Sequence, residues 1–147
     1  MLAEMPPWTP DAIPLAESAL VLVTDGVEIP GNLGTMLRTM DAVGADCLVL
    51  THRKTRMSHP KVLRASQGMS ITVPHLDESI DSRHADYSGR TAIVIGSEKY
   101  GVRDDFYAAG YQRIGITMLG SGDLLNAAVC ASVLLCEARA GKSSRFP

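Results

Sequence analysis

The chain has no run of apolar residues long enough to span a membrane, and its N-terminus lacks a basic-then-apolar leader. It has only three cysteines, Cys47, Cys130 and Cys136, with neither Cys-x-x-Cys spacing nor an even-numbered framework. Cys47 opens one apolar stretch and the other two lie in another, so buried thiols are expected rather than bridges or metal ligands. These absences point to a reduced, cytoplasmic setting. A basic excess is also missing: the formal net charge of −2 argues against a generically basic nucleic-acid binder. No Ser–His–Asp set, carboxylate pair or metal-ligand cluster appears. Gly31-Asn-Leu-Gly34 is neither a dinucleotide nor a P-loop fingerprint.

One stretch reverses the charge balance by lacking acids altogether. Residues 47 to 76 hold no Asp or Glu, yet carry Arg53, Lys54, Arg56, Lys61 and Arg64, with His52, His59 and His75. A solvated basic loop is the plain reading. The sharper one is a phosphate-facing patch, because clustered Lys and Arg neutralise several phosphates together.

At 147 residues, 46% hydrophobic and 20% charged, the sequence fits one globular domain with a real core. Residues 1–18 hold Pro6, Pro7, Pro10 and Pro14 and read as an arm or linker, leaving 19–147 as the domain. Apolar runs at 19–24, 47–51, 70–73, 91–95 and 114–118 predict strands. Helical spacing predicts helices at 32–43, 60–67, 104–109 and 124–140, with Asn32 as an N-cap and Gly44 as a stop. Strands without polar alternation, separated by helices, give an α/β fold with a mostly parallel sheet covered on both sides. The last helix is apolar on nearly every face, so it belongs in the core or against a second subunit.

Three glycine-rich blocks follow predicted strands: residues 25–39, 95–101 and 116–126. Glycine lets backbone approach a ligand closely, and three such loops suggest one shared pocket. Asn32 and Arg38 sit six positions apart in the first block. Arg38 falls off the apolar stripe, where a planar guanidinium suits a phosphate, although a surface arginine is the simpler account. Glu98 follows Gly96 in the second block, as a turn carboxylate or as a group that orients an amine or hydroxyl. Asn126 enters the final helix, where a capping role explains it equally well.

Taken together the blocks resemble motifs 1, 2 and 3 of the SpoU/TrmH branch of the SPOUT RNA methyltransferases. Pro30-Gly-Asn-Leu-Gly-x-x-Leu-Arg-Thr39 with Asp41-Ala-x-Gly44 is similar to motif 1, and Ile95-Gly-Ser-Glu-x-x-Gly101 to motif 2. Met118-Leu-Gly-Ser-x-x-x-Leu-Asn126, with the helix ending Leu135-Cys-Glu-Ala138, is similar to motif 3. Arg64-Ala-Ser-x-Gly68 also fits the branch.

The resemblance implies a C-terminal trefoil knot, a feature that general fold rules would not suggest. It implies S-adenosylmethionine as cofactor, a homodimer packed through the knot region and terminal helix, and methylation of a ribose 2′-hydroxyl in tRNA or rRNA. It assigns Asn32, Arg38, Glu98 and Asn126 to the catalytic site, and Gly96, Ile116, Met118, Leu125 and Asn126 to the cofactor. RNA contact would fall to Arg53, Lys54, Arg56 and Arg64.

Three departures stand against that pattern. Leu124 occupies the position of a motif 3 serine, Ala127 and Ala128 replace β-branched and hydroxyl residues, and Thr117 stands where proline is usual. Residues 75–90 are too few for the family's helix, strand and return loop, so the strand is expected to be missing. The relatives' small N-terminal substrate-binding domain is not expected here. A domain that binds RNA without methylating it is therefore the alternative. An oxidoreductase lacks its glycine fingerprint, and a structural ribosome-associated module would need no cofactor loops.

Overall fold

The computed structural model describes residues 13–27, 29–51, 70–74, 79–121 and 125–142. Its centre is a six-stranded, all-parallel sheet in the order β2-β1-β5-β3-β6-β4. The strands are β1 (Leu20–Asp25), β2 (Cys47–Thr51), β3 (Ser70–Pro74), β4 (Ile80–Asp81), β5 (Thr91–Gly96) and β6 (Gln112–Gly115). The helices are α1 (Pro30–Val43), α2 (Asp104–Ala108) and α3 (Ala127–Lys142), with a 3₁₀ turn at Ser82–His84. The predicted α/β class with a parallel sheet is what forms.

β1 is buried from end to end, and β5 from Thr91 to Ile95, because both sheet faces are covered, which is why their sequences show no polar alternation. Leu20, Leu22, Ile93 and Ile95 face α1 and α3, where Met36, Met40, Ala131, Leu134 and Leu135 complete one core. Val21, Val23, Ala92 and Val94 face the opposite side, against Val102 and Phe106 of the α2 region. Leu15 packs on this second cluster, and Arg90 donates to Glu17 at 2.7 Å, so residues 13–18 lie against the domain. Alanines at 127, 128, 131 and 138 let α3 sit close to the sheet. Thr39 and Ser132 hydroxyls meet at 2.8 Å between α1 and α3.

α1 ends at Gly44, whose left-handed φ of 64° suits glycine, and Arg139 Nε donates to the Val43 carbonyl at 2.6 Å. Its start differs from expectation. Ile29 occupies the cap position without a side-chain bond and Pro30 takes the first turn, so Asn32 lies inside the helix rather than capping it. The last strand also differs: β6 stops at Gly115, not at 118. Its neighbour β4 contributes only Ile80 and Asp81, so no ladder continues beside Ile116–Met118. That two-residue β4 corrects the expectation of a missing strand. Cys136 corrects another, being exposed, while Cys47 and Cys130 are half-buried. Burial raises the Cys47 thiol and pushes that of Cys130 up to about 11. The predicted helix at 60–67 lies outside the described residues. Among the described residues no helix is long and apolar enough to cross a membrane.

Candidate active site

In an all-parallel sheet every strand delivers its following loop to the same edge, where α/β proteins bind ligands. Here that edge receives the start of α1 after β1, residues 97–103 after β5 and, of the stretch after β6, residues 116–121 and 125–126. The three motif blocks therefore meet.

Their meeting point is a chain of side-chain hydrogen bonds. Asn32 Nδ2 donates to Glu98 Oε1 at 2.6 Å, and Asn126 Nδ2 donates to Asn32 Oδ1 at 3.2 Å. Asn126 Oδ1 in turn accepts from the Ala128 N–H at 2.9 Å, capping α3. The capping expected of Asn126 is thus made by its Oδ1, while its Nδ2 joins it to Asn32. Each link comes from a different block, and residues 66 and 94 positions apart in sequence touch. Asn32 is buried, whereas the Glu98 carboxylate that accepts from it is exposed at the edge.

Arg38 lies on the exposed side of α1, its Nη2 donating to Thr35 Oγ1 at 3.2 Å. Among the described residues no hydrogen bond joins it to the Glu98–Asn32–Asn126 chain. A guanidinium there is free to reach outward toward a phosphate.

The loop after β5 is fixed at both ends. A Cβ at Gly96 would lie 2.1 Å from the Gly101 carbonyl carbon, so only glycine fits. At the far end Arg103 turns back onto Asp25. The buried Asp25 carboxylate accepts from the Arg103 N–H at 3.1 Å, from Arg103 Nε at 3.0 Å and from Thr51 Oγ1 at 2.7 Å. The loop after β6 is held differently. Thr117 Oγ1 donates to Asp81 Oδ2, and Arg83 grips the same carboxylate through Nε and Nη2 at 2.8 Å each. Arg83 foremost, then Thr117, hold the Asp81 carboxyl well below the usual carboxylate range. Ile116 and Leu125 are half-buried, and Ile116 packs on the core. Met118 and Leu119 project outward.

A model of the SpoU rRNA Methylase family matches residues 19–82 and 69–136. The chain belongs to this family. A 23S rRNA guanosine-2′-O-methyltransferase of Bacillus subtilis is 30% identical over 85% of this chain and 60% of its own length. A 23S rRNA uridine-2′-O-methyltransferase of Streptomyces viridochromogenes is 27% identical over 93% of the chain and 58% of its own length. Among solved structures, a SpoU methyltransferase of Streptomyces viridochromogenes in complex with the cofactor AdoMet superposes with a TM-score of 0.79. Its identity is 26%, covering 97% of this chain and 65% of that one. An AdoMet-bound rRNA methyltransferase of Sinorhizobium meliloti gives 0.78 at 26% identity, covering 93% and 62%. The chain spans about three fifths of the length of the curated relatives it matches.

Of the residues singled out from the sequence, Glu98 and Asn126 are joined through Asn32, Gly96 ends β5, and Ile116, Met118 and Leu125 belong to the stretch that follows β6. Arg53, Lys54, Arg56, Arg64 and Leu124 lie outside the described residues. Sequence reasoning missed Asp25, Arg103 and Asp81. An aspartate ending an otherwise apolar strand was the available signal for Asp25, since a buried carboxylate demands partners. Nothing local foretold that Arg103 supplies them.

Proposed function

We propose that this SpoU-family chain transfers a methyl group from S-adenosylmethionine to a ribose 2′-hydroxyl of tRNA or rRNA. The carrying observation is the Glu98–Asn32–Asn126 chain, which one link from each motif completes. The named activities of the relatives support it.

The residues present fit the cofactor. Gly96 leaves no room for any side chain where the backbone turns, and residues 116–119 run outside any ladder beside half-buried Ile116 and Leu125. Gly96, Ile116, Met118, Leu125 and Asn126 would hold it, and its sulfonium supplies an electrophilic methyl carbon. A ribose hydroxyl is a weak nucleophile, so placement and proton removal contribute most of the acceleration. Arg38 anchors the phosphate beside the target ribose and stabilises developing alkoxide charge. It does not serve as base, because a guanidinium hardly ever gives up its proton. Glu98, steadied by Asn32, orients the hydroxyl and offers a carboxylate oxygen toward its proton.

The same reading includes the trefoil knot, which family membership and the placement of β5 and β6 on either side of β3 support. It includes a homodimer through the knot region and the terminal helix α3, on which Val129 stands 46% exposed. It sets the domain at 19–147, gives RNA contact to Arg53, Lys54, Arg56 and Arg64, and puts the protein in the cytoplasm.

The test supplies purified protein with labelled methyl donor and total RNA, then maps modified riboses, with calorimetry for cofactor binding. Asn32→Ala and Arg38→Ala should each lower turnover by about a hundredfold or more while leaving S-adenosylmethionine binding nearly intact. Wild-type protein that binds no S-adenosylmethionine would sink the reading. Cofactor and RNA binding without turnover would favour the RNA-binding alternative.

A further inference from the structure

Aromatic residues are scarce in this chain, at 5% of the sequence, and those described are almost all used inside. Tyr87 and Phe106 are buried, and Tyr107 and Tyr111 pack against the second core cluster. Tyr100 alone among them stands in solvent, 78% exposed, and it does so two residues from Glu98. Nothing in the fold requires an aromatic ring there.

The ring is mounted on an ordered turn. The Gly101 N–H donates to the Ser97 carbonyl at 2.8 Å, and the Tyr100 N–H donates to Ser97 Oγ at 3.1 Å. Gly101 adopts a left-handed φ of 67°, Ser97 and Gly101 form a bridge, and the Asp25–Arg103 pair ties down the chain immediately beyond. Glu98 is tied in turn to Asn32. Lys99 places its Nζ 5.0 Å from the Tyr100 ring centroid, a cation–π contact over one face. A flat π-face and an ammonium are thus presented side by side next to the carboxylate chain.

We infer that Tyr100 is a stacking platform for a base of the RNA, with Lys99 contacting the adjoining phosphate. The inference rests on the RNA-facing reading of the site and adds a residue that chooses and positions the nucleotide. Single-stranded RNA is recognised chiefly by stacking unpaired bases on aromatic rings, and a ring on a rigid turn loses little freedom when a base lands on it. An ammonium beside the ring supplies the partner for the backbone charge. A base on Tyr100 lies where its own or a neighbouring ribose comes within reach of Glu98.

The experiment measures fluorescence anisotropy of a labelled single-stranded oligoribonucleotide of about ten nucleotides, a length within the usual single-strand footprint. Wild type is compared with Tyr100→Ala, Tyr100→Phe and Tyr100→Leu, with S-adenosylmethionine calorimetry and sedimentation alongside. Tyr100→Ala and Tyr100→Leu should weaken oligoribonucleotide binding by roughly five- to hundredfold, the range for one stacked base, while Tyr100→Phe stays near wild type. Cofactor affinity and sedimenting mass should not change in any variant. The inference is overturned if wild type does not bind the oligoribonucleotide, or if Tyr100→Ala binds it as wild type does. It is equally overturned if leucine serves as well as phenylalanine, or if the variants change the oligomeric state, which would make Tyr100 a subunit contact. Failure of cofactor binding with stacking intact would instead count against methyl transfer alone.

Discussion

The two halves of the sheet edge that carries the motif loops are held together by different physics. On the β1–β5 side, the strands pair over six positions, both faces are packed, and the loop that follows is closed by Gly96 at one end and the Asp25–Arg103 pair at the other. On the β4–β6 side, pairing covers two positions, and the loop carrying Ile116 to Ser121 leans on one carboxylate, Asp81, shared by Thr117 and Arg83. Leu119 there is 95% exposed. The half proposed to orient the ribose is therefore built into the core, and the half proposed to face the cofactor hangs from side chains. Substitutions in the first should cost stability as well as function; those in the second should cost mainly cofactor affinity.

The largest effect expected from this contrast is at Gly96. Because a Cβ would meet the Gly101 backbone rather than a pliable side chain, Gly96→Ala must push the whole turn away. Overpacking of this kind costs about 3 kcal/mol, readable as a drop in the urea midpoint, and methyl transfer should disappear with it. A normal midpoint would mean that the loop is not clamped as described.

Asp25→Ala should come next. It strands the Arg103 N–H and leaves Thr51 Oγ1 only its longer bond to the Thr24 carbonyl at 3.3 Å, while freeing a guanidinium that is one-third exposed and can turn to water. A loss of about 2 kcal/mol is expected, below that of a fully buried broken pair. Arg103→Ala should reproduce only part of it. Equal losses in the two variants would show that Asp25 matters solely through Arg103.

The same contrast explains how much was legible beforehand. β1 and β5 could be read because continuous apolar runs signal a strand covered on both faces, and Gly44 because only glycine-like residues end helices in that way. Errors gathered where a neighbour decides the outcome. β6 ends early since β4 offers it two partners, and the length of β4 is no property of residues 112–118. Asn32 resembled a cap by type and position, but Pro30 took the first turn and the Asn32 amide went to Glu98, 66 residues away. Cys136 sits in an apolar helix yet faces outward, because periodicity locates a buried stripe only when one face is polar. The motif blocks themselves were readable, and their convergence followed from parallel strands; the bonds among them did not.

The smallest effect expected is the one that sharpens the comparison most. Thr117→Val removes the hydroxyl that ties the loop after β6 to Asp81 while preserving shape. Since Thr117 is exposed and Arg83 keeps its grip on Asp81, the thermal midpoint should barely move. S-adenosylmethionine affinity should fall several-fold, with turnover at saturating cofactor nearly unchanged, because Glu98, Asn32 and Asn126 are untouched. The tie also carries a pH signature. The folded Asp81 carboxyl lies below its ordinary 3.8, so its stabilising contribution is complete above that value and fades as the pH falls below it. Wild type should therefore keep its affinity advantage over Thr117→Val down to about pH 4 and lose it only as the pH falls further, through the lowered range in which the folded carboxylate takes up a proton. An advantage that vanished near neutrality instead would assign the tie to another group and dissolve the distinction between the two halves.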